Sequence, residues 1–296
     1  MPSHKKHLAG IIPLANLEDK LGFPYHPSLT PVYGGYLAVE AAVHEAAWAG
    51  CNTIWIVCND DIQPLVRHRI GEYTYDPAFM NRAKWDKFPS QSRKTIPIYY
   101  TGLFAKDIGK RDCYAYSIIH GANMAIDVCQ AVSHWAGPDK FYVSFPMGLY
   151  NPKALGYYRK EINKPGKAFG WRYEGKTVKD GEHLGFAFTH ENLKDFKKRI
   201  MEGTGTYSSE TLANGFQKKL PPEKRNSGRH FSLDKIFKDV ILDKVGVVNL
   251  QWYYNIGSWK GYTEFLGSKE RERFERPSKK LLGYKEFNPI GEDNDN

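Results

Sequence analysis

Short β-branched and aromatic runs alternate with helical segments through the first half of this chain, and no other feature restricts the fold as much. His7–Leu14 (HLAGIIPL) is a continuous apolar run, as expected of a strand buried on both faces. A proline- and glycine-rich loop follows to Gly35. Over Tyr36–Ala49 the spacing predicts an amphipathic helix, with Tyr36, Val39, Val43, Ala46 and Ala47 on one face and Gly50 as its stop. Asn52–Cys58 (NTIWIVC) and Thr95–Thr101 (TIPIYYT) read as strands, with a helix over Ile62–Ile70 between them. A long helix over Tyr114–Trp135 precedes a fourth strand, Lys140–Phe145. Strands separated by helices need right-handed crossovers. The expected fold is thus α/β, with a Rossmann-like, mixed but mainly parallel sheet flanked by helices. Such open sheets bind ligands beyond the carboxyl ends of their strands.

The second half is less regular. Lys160–Asp180 is rich in Gly and Lys and reads as loops or a hairpin. Leu184–Thr189 predicts a strand and Asn192–Met201 a helix. The polar stretch Gly203–Gly228 contains Pro221-Pro222 and reads as a mobile connection. Ser232 is the expected N-cap of a helix to about Leu242, and Val245–Tyr254 is strand-like. These elements fill one domain over residues 1–266. Residues 267–296 form a charged tail ending in GEDNDN, expected to be disordered.

No apolar run approaches eighteen residues, which excludes a membrane-spanning helix. Cys51, Cys58, Cys113 and Cys129 show no metal-binding spacing and sit in apolar segments, which suits a reducing cytoplasm. No histidine pair with a third ligand has metal spacing either. The net charge of +9 is uneven. Residues 1–150 carry 14 Lys and Arg against 13 Asp and Glu, whereas residues 151–230 carry 17 against 9. A field of that kind attracts phosphates, sugar phosphates or nucleic acid, and a plain solvated surface explains it equally well. Arg159, Lys160, Lys164, Lys167, Arg172 and Lys176 belong to this segment.

Several segments, taken in order, resemble the sugar-1-phosphate nucleotidyltransferases, the UDP-glucose pyrophosphorylase branch most closely. Ile12-Pro13-Leu14-Ala15-Asn16-Leu17-Glu18-Asp19-Lys20 matches the strand and glycine-rich loop I-P-x-A-G-x-G-T-R. Pro27-Ser28-Leu29-Thr30-Pro31 stands where the family has P-K-x-x-L-P. Ser117-Ile118-Ile119-His120-Gly121 resembles G-L-G-H-A at its histidine. Phe145-Pro146-Met147-Gly148-Leu149 replaces the L-P-D that ends the fourth strand. Asn255-Ile256-Gly257-Ser258-Trp259-Lys260-Gly261-Tyr262 matches D-x-G-S/T-x-x-G-Y. The likeness spans about residues 7–266 and implies a nucleotidyltransferase or GT-A-like fold.

The resemblance further implies a site. Leu14, Ala15, Asn16, Leu17 and Gly121 fall at nucleotide-binding positions, with Lys20 and His120 as the catalytic candidates. Pro146, Met147, Gly148, Asn255, Gly257, Lys164, Lys167 and Arg172 fall on the sugar and acceptor side, where Trp171, Tyr173 and Trp252–Tyr254 also lie. The departures fall on the chemistry. Glu18 replaces a glycine of the phosphate cradle, and Lys20 replaces an arginine, keeping charge without the bidentate fork. Ser28 replaces a lysine. The two positions where the family holds Mg²⁺ with aspartates are Met147 and Asn255, so Mg²⁺ has weak support and no metal ligand is assigned. Asp60-Asp61 or Glu18-Asp19 are substitutes on paper, with helix capping the better reading of Asp60-Asp61. Three readings stay open: a nucleotide-sugar-linked transferase that is no ordinary Mg²⁺-dependent pyrophosphorylase, a glycosyltransferase acting on DNA through residues 151–230, and an inactive pseudoenzyme that binds or scaffolds.

Overall fold

The computed structural model describes residues 6–15, 17–80, 95–108, 113–132, 137–203, 207–221, 231–240 and 246–273. Asn16, Trp135, Leu242, Val245, residues 222–228 and the tail beyond Arg273 lie outside the described residues. In chain order the elements are β1 (Leu8–Pro13), β2 (Pro31–Tyr33), β3 (Tyr36–Leu37), α1 (Ala38–Ala49), β4 (Thr53–Val57), α2 (Gln63–Ile70), β5 (Tyr73–Tyr75), α3 (Pro77–Met80), β6 (Thr95–Thr101) and α4 (Tyr114–Val132). The second half adds β7 (Lys140–Val143), β8 (Gly148–Leu149), α5 (Leu155–Ile162), β9 (Phe169–Arg172), β10 (Phe186–Phe188), α6 (His190–Gly203), β11 (Tyr207–Thr211) and β12 (Gln217–Lys219). It closes with α7 (Leu233–Phe237), β13 (Val247–Asn249), β14 (Tyr254–Asn255), α8 (Trp259–Leu266) and α9 (Glu270–Arg273).

Eight strands form one sheet in the order β13-β9-β10-β7-β1-β4-β6-β5. β1 lies parallel between β4 and β7, β6 extends β4, and β13 runs parallel to β9. β10 and β5 run against the common direction. The mixed, mainly parallel sheet expected from the sequence is the one observed. Both faces are covered. Leu8 and Ile12 of β1, Ile54 and Ile56 of β4 and Tyr142 of β7 pack with α1 residues Val39 and Val43. The alternate residues Ala9, Ile11, Trp55, Val57, Phe141 and Val143 pack with Ile118, Ile119 and Ala122 of α4 and with Phe196 of α6. Successive strand residues point to opposite faces, so burial of both faces gives the unbroken apolar runs seen in the sequence.

Local chemistry fixes several boundaries. Gly50 ends α1 at φ +88°, a left-handed conformation that side chains resist. Arg159 then ties this helix end to α5: its guanidinium donates to the carbonyls of Ala47 and Trp48 and to the buried Asp76 carboxylate. Inside α4, a Cβ on Gly121 would lie 2.7 Å from Val57 Cγ2, so this glycine lets the helix approach the sheet. The expected Ser232 cap has no side-chain bond, and α7 ends at Phe237. Residues 160–180, read as loops or a hairpin, contain the end of α5, the whole of β9 and an antiparallel bridge between Tyr173 and Lys176.

Candidate functional site

The sheet ends in a cleft of about 730 Å³ beyond the carboxyl ends of β1 and β7. Leu17, Glu18, Lys20, Met147, His183, Asn255, Gly257 and Ser258 line it, together with Cys113 and Tyr114 at the start of α4 and Phe231–Leu233 before and within α7. Leu17, Lys20, Met147, Asn255 and Gly257 were all expected at the site from sequence. Hydrogen bonding joins the two distant motifs that carry most of them. β8 and β14 pair antiparallel, setting Asn255 opposite Gly148, and the Ile256 N–H donates to the Met147 carbonyl at 2.8 Å. Glycine is needed at 148, because a Cβ there would sit 1.8 Å from the His183 carbonyl oxygen.

In the described part of the loop after β1, several backbone groups are engaged within the protein. The N–H groups of Leu14 and Ala15 donate to the Val57 carbonyl at 2.7 and 2.8 Å, and the Leu17 N–H donates to the Leu14 carbonyl. The Ser117 hydroxyl holds the Ala15 carbonyl at 2.8 Å. Lys20 Nζ lies 2.7 Å from Glu18 Oε2, with both side chains largely exposed. Asp19 turns inward to its own loop, where its carboxylate accepts the N–H groups of Leu21 and Gly22.

Met147 and Asn255, which the sequence resemblance aligns with metal-holding aspartates, do not offer the ligands that Mg²⁺ needs. Met147 offers a thioether, and only 1% of its surface is exposed, in an apolar cluster with Leu149, Ile256, Tyr262 and Phe265. Asn255 offers a neutral amide oxygen that already accepts the Gly257 N–H at 3.1 Å. Mg²⁺ requires hard oxygen ligands, usually carboxylates, in a nearly ideal octahedron. Among the described residues, no three His, Cys, Asp or Glu side chains come together in a metal-binding group.

His183 is one of several cleft residues, with Cys113, Tyr114 and Phe231–Leu233, that the sequence did not single out for the site. β10 runs antiparallel to β7, with Phe186 opposite Val143, so the residues before β10 lie beside those after β7. His183 therefore stacks on Phe145, with ring centroids 5.4 Å apart, and meets the Tyr114 ring edge-on at 5.5 Å. Its Nδ1 and the Tyr114 hydroxyl are buried and have no hydrogen-bond partner. Burial, and then the Lys20 charge, pull the imidazole down to about 4, so it is neutral at pH 7.

Other expected site residues lie elsewhere. The helix expected from Tyr114 begins there, and the Ser117–Gly121 segment lies inside it. His120 is buried on it, with Nε2 3.5 Å from the Thr101 hydroxyl, and it borders a separate 430 Å³ pocket with Phe104, Lys106 and Asp127. Pro146 joins β7 to β8 without lining the cleft. Lys164 and Lys167 precede the amino end of β9. Because β9 runs in the direction of β1, they sit at the end of the sheet opposite the cleft. The Lys164 carbonyl there accepts from Lys140 Nζ. Arg172 is at the other end of β9, half-buried and outside the cleft lining. Several cations of the basic segment are already paired: Arg159 with Asp76, Lys176 with Glu182 and Arg199 with Asp239. Charge that is contiguous along the chain is thus divided between the two ends of the sheet.

Solved structures share this α/β fold at low sequence identity. A Bacillus anthracis protein assigned as a glucose-1-phosphate thymidylyltransferase, in complex with sucrose, superposes with a TM-score of 0.52 at 11% identity, over 93% of this chain and 98% of its own. A UDP-glucose pyrophosphorylase complexed with UDP-glucose superposes with a TM-score of 0.51 at 13% identity, over 90% of this chain and 100% of its own. No protein-family model matches the sequence, and no curated protein matches it. At such identities the likeness establishes the fold, and function must be argued from the cleft.

Proposed function

We propose that the cleft binds a nucleotide or nucleotide sugar, and that the chain is a nucleotide-sugar-linked transferase working without Mg²⁺ at the family's metal positions. The observation that carries this reading is the convergence of Lys20, Met147 and Asn255, from three distant segments, on one cleft at the carboxyl end of the sheet. UDP-glucose occupies one protein of this fold, and its chemistry suits the cleft described here. Lys20 is the cation available to ligand phosphates, at the cost of its bond to Glu18. Neutral hydrogen-bonding groups on Asn255 and Ser258 suit sugar hydroxyls. In-line nucleotidyl or glycosyl transfer depends on positioning and charge neutralisation, and Lys20 supplies the latter. Four cysteines free of disulfides support a cytoplasmic setting.

Calorimetry with UDP, dTDP, UDP-glucose and dTDP-glucose tests the reading. Binding that persists in EDTA is expected. No binding of any of the four at millimolar concentration would refute it. The Glu18–Lys20 pair favours one second reading, a protein that binds nucleotide sugars without turnover, because the ion pair opposes phosphate capture. Binding without product release in a pyrophosphate-release assay or a labelled-sugar transfer assay would select it. DNA as the acceptor has no support from the placement of Lys164 and Lys167. Salt-dependent anisotropy titrations with duplex and single-stranded DNA would measure any such binding.

A further inference from the structure

Four aromatic rings stand beside the cleft on the side of Lys20 and Ser258. Phe23 and Tyr25 stack with centroids 5.0 Å apart and planes 18° apart. Trp259 meets Phe23 at 5.3 Å, and Tyr262 meets it edge-on at 6.2 Å. The group is continuous with the cleft wall through two chain segments. Lys20, three residues before Phe23, lines the cleft, as does Ser258, the residue before Trp259.

The cluster has a fixed base and an open top. Tyr262 is buried among Met147, Leu149 and Phe265, and its hydroxyl donates to the Pro31 carbonyl at 2.8 Å. Before Phe23, the Asp19 carboxylate pins the turn at Leu21 and Gly22, and Gly22 adopts φ +67°. After Tyr25, His26 Nδ1 accepts the Ser28 N–H at the start of the next turn. Against this rigid support, Trp259 leaves 51% of its surface exposed and Tyr25 leaves 37%. Trp259 is the first residue of α8, while the buried residues of that helix are Tyr262 and Phe265. The indole is therefore held by its neighbours without being part of the core. An exposed aromatic face on a rigid base stacks flat, apolar ring faces at little entropic cost.

We propose that Trp259, Phe23 and Tyr25 form an acceptor platform on which the ring of a saccharide stacks, next to the nucleotide sugar bound in the cleft. The proposal rests on the nucleotide-sugar reading for its donor and adds the class of acceptor. Charge decides against a polyanion. Lys20, the cation at the cleft edge, is held by Glu18. α8 carries one cation, Lys260, and one anion, Glu264. Lys164 and Lys167 lie at the far end of the sheet. A neutral ring bearing hydroxyl groups needs none of these charges. Its C–H face meets the indole and its hydroxyls reach solvent.

The test uses the full chain and three probes: maltose, cellobiose and thymidine. Intrinsic fluorescence is titrated with each, for wild type and for Trp259→Ala, Tyr25→Ala and Lys20→Ala. Circular dichroism confirms that each variant is folded. A saccharide is expected to bind wild type and Lys20→Ala alike, and to bind Trp259→Ala about tenfold more weakly or not at all. Tyr25→Ala should fall in between. UDP-glucose binding measured in parallel should survive Trp259→Ala, which separates failure of the platform from failure of the nucleotide reading. Absence of saccharide binding at tens of millimolar, saccharide binding indifferent to Trp259, or Trp259-dependent binding of thymidine in preference to both sugars would each overturn the proposal.

Discussion

Met147→Asp would put a carboxylate at the wall of the cleft, and the structure predicts that it will damage the protein. Met147 is 1% exposed and packs with Leu149, Ile256, Tyr262 and Phe265. Removing its side chain forfeits roughly 1.5–3 kcal/mol of apolar burial. The new carboxyl group would lie against the same apolar neighbours. An unsatisfied buried polar group costs about 1–3 kcal/mol, and more if it stays ionised. Met147→Asp should therefore lose about 3–5 kcal/mol, a large fraction of a typical domain's stability of about 5–15 kcal/mol. Urea denaturation of wild type and variant, each with EDTA and with 10 mM Mg²⁺ (~100 times a 0.1 mM dissociation constant), is the assay. A functioning site of that affinity would return about 2.7 kcal/mol at this concentration. The expected result is a lowered midpoint in both conditions. A variant as stable as wild type, or one rescued by Mg²⁺, would refute the argument that position 147 has become core.

Three further outcomes follow from the same geometry. Lys20→Ala should weaken nucleotide binding by about tenfold or more, the worth of a charge-assisted hydrogen bond, whereas Glu18→Gln should tighten it a few-fold by releasing the lysine; calorimetry reads both. Glu45 is buried, and its carboxylate accepts the Tyr142 hydroxyl at 2.7 Å and also that of Tyr150. Burial raises its pKa to about 7, so the folded state keeps a proton that the unfolded state releases above about 4.5. This contribution, roughly 3 kcal/mol, is complete below pH 4.5 and lost as pH rises to about 7. Stability curves of wild type and Glu45→Gln should therefore diverge over that interval, and parallel curves would contradict the assignment. Gly185→Ala places a Cβ 2.4 Å from both tyrosine hydroxyls and 2.6 Å from the Glu45 oxygen, and should cost about 1–3 kcal/mol by overpacking in the same denaturation assay.

The parts of the fold legible in the sequence are those where one physical cause dominates. Burial on both faces made β1, β4 and β7 into apolar runs, and Gly50 marked the end of α1. β9 was invisible because its four residues, Phe-Gly-Trp-Arg, lie among glycines and lysines, and its burial depends on neighbours remote in sequence. The site divides in the same way. Lys20, Met147, Asn255 and Gly257 line one cleft, as the order of the segments in the resemblance implied. His183 carries no motif, and only the antiparallel direction of β10 brings it beside Phe145. Direction within a sheet is a tertiary property, and periodicity does not encode it. His120 borders a separate pocket, because a residue type on a helix does not fix which turn faces the cleft.

The replacements at the cleft act on stability as well as on chemistry. Carboxylates gathered to hold a metal repel one another when the metal is absent, and sites of that kind reduce stability in favour of function. With methionine at 147, the position contributes to the cluster formed by β8, β14 and α8. With asparagine at 255, the turn into α8 gains an internal hydrogen bond, and Ser258 caps the helix through the Gly261 N–H. The same exchange fixes the base on which Trp259 and Phe23 are mounted, since Tyr262 and Met147 share one apolar cluster. Burial of Met147 and rigidity of the aromatic rim thus rest on one apolar cluster. A substitution that reopened position 147 would disturb both, so Met147→Asp should also weaken saccharide stacking on Trp259, although the residue is not part of the platform. Met147→Leu, which keeps the volume and the apolar contacts, should leave both stability and stacking near wild type. If the leucine variant lost stacking while keeping its denaturation midpoint, the platform would depend on something other than the packing beneath it.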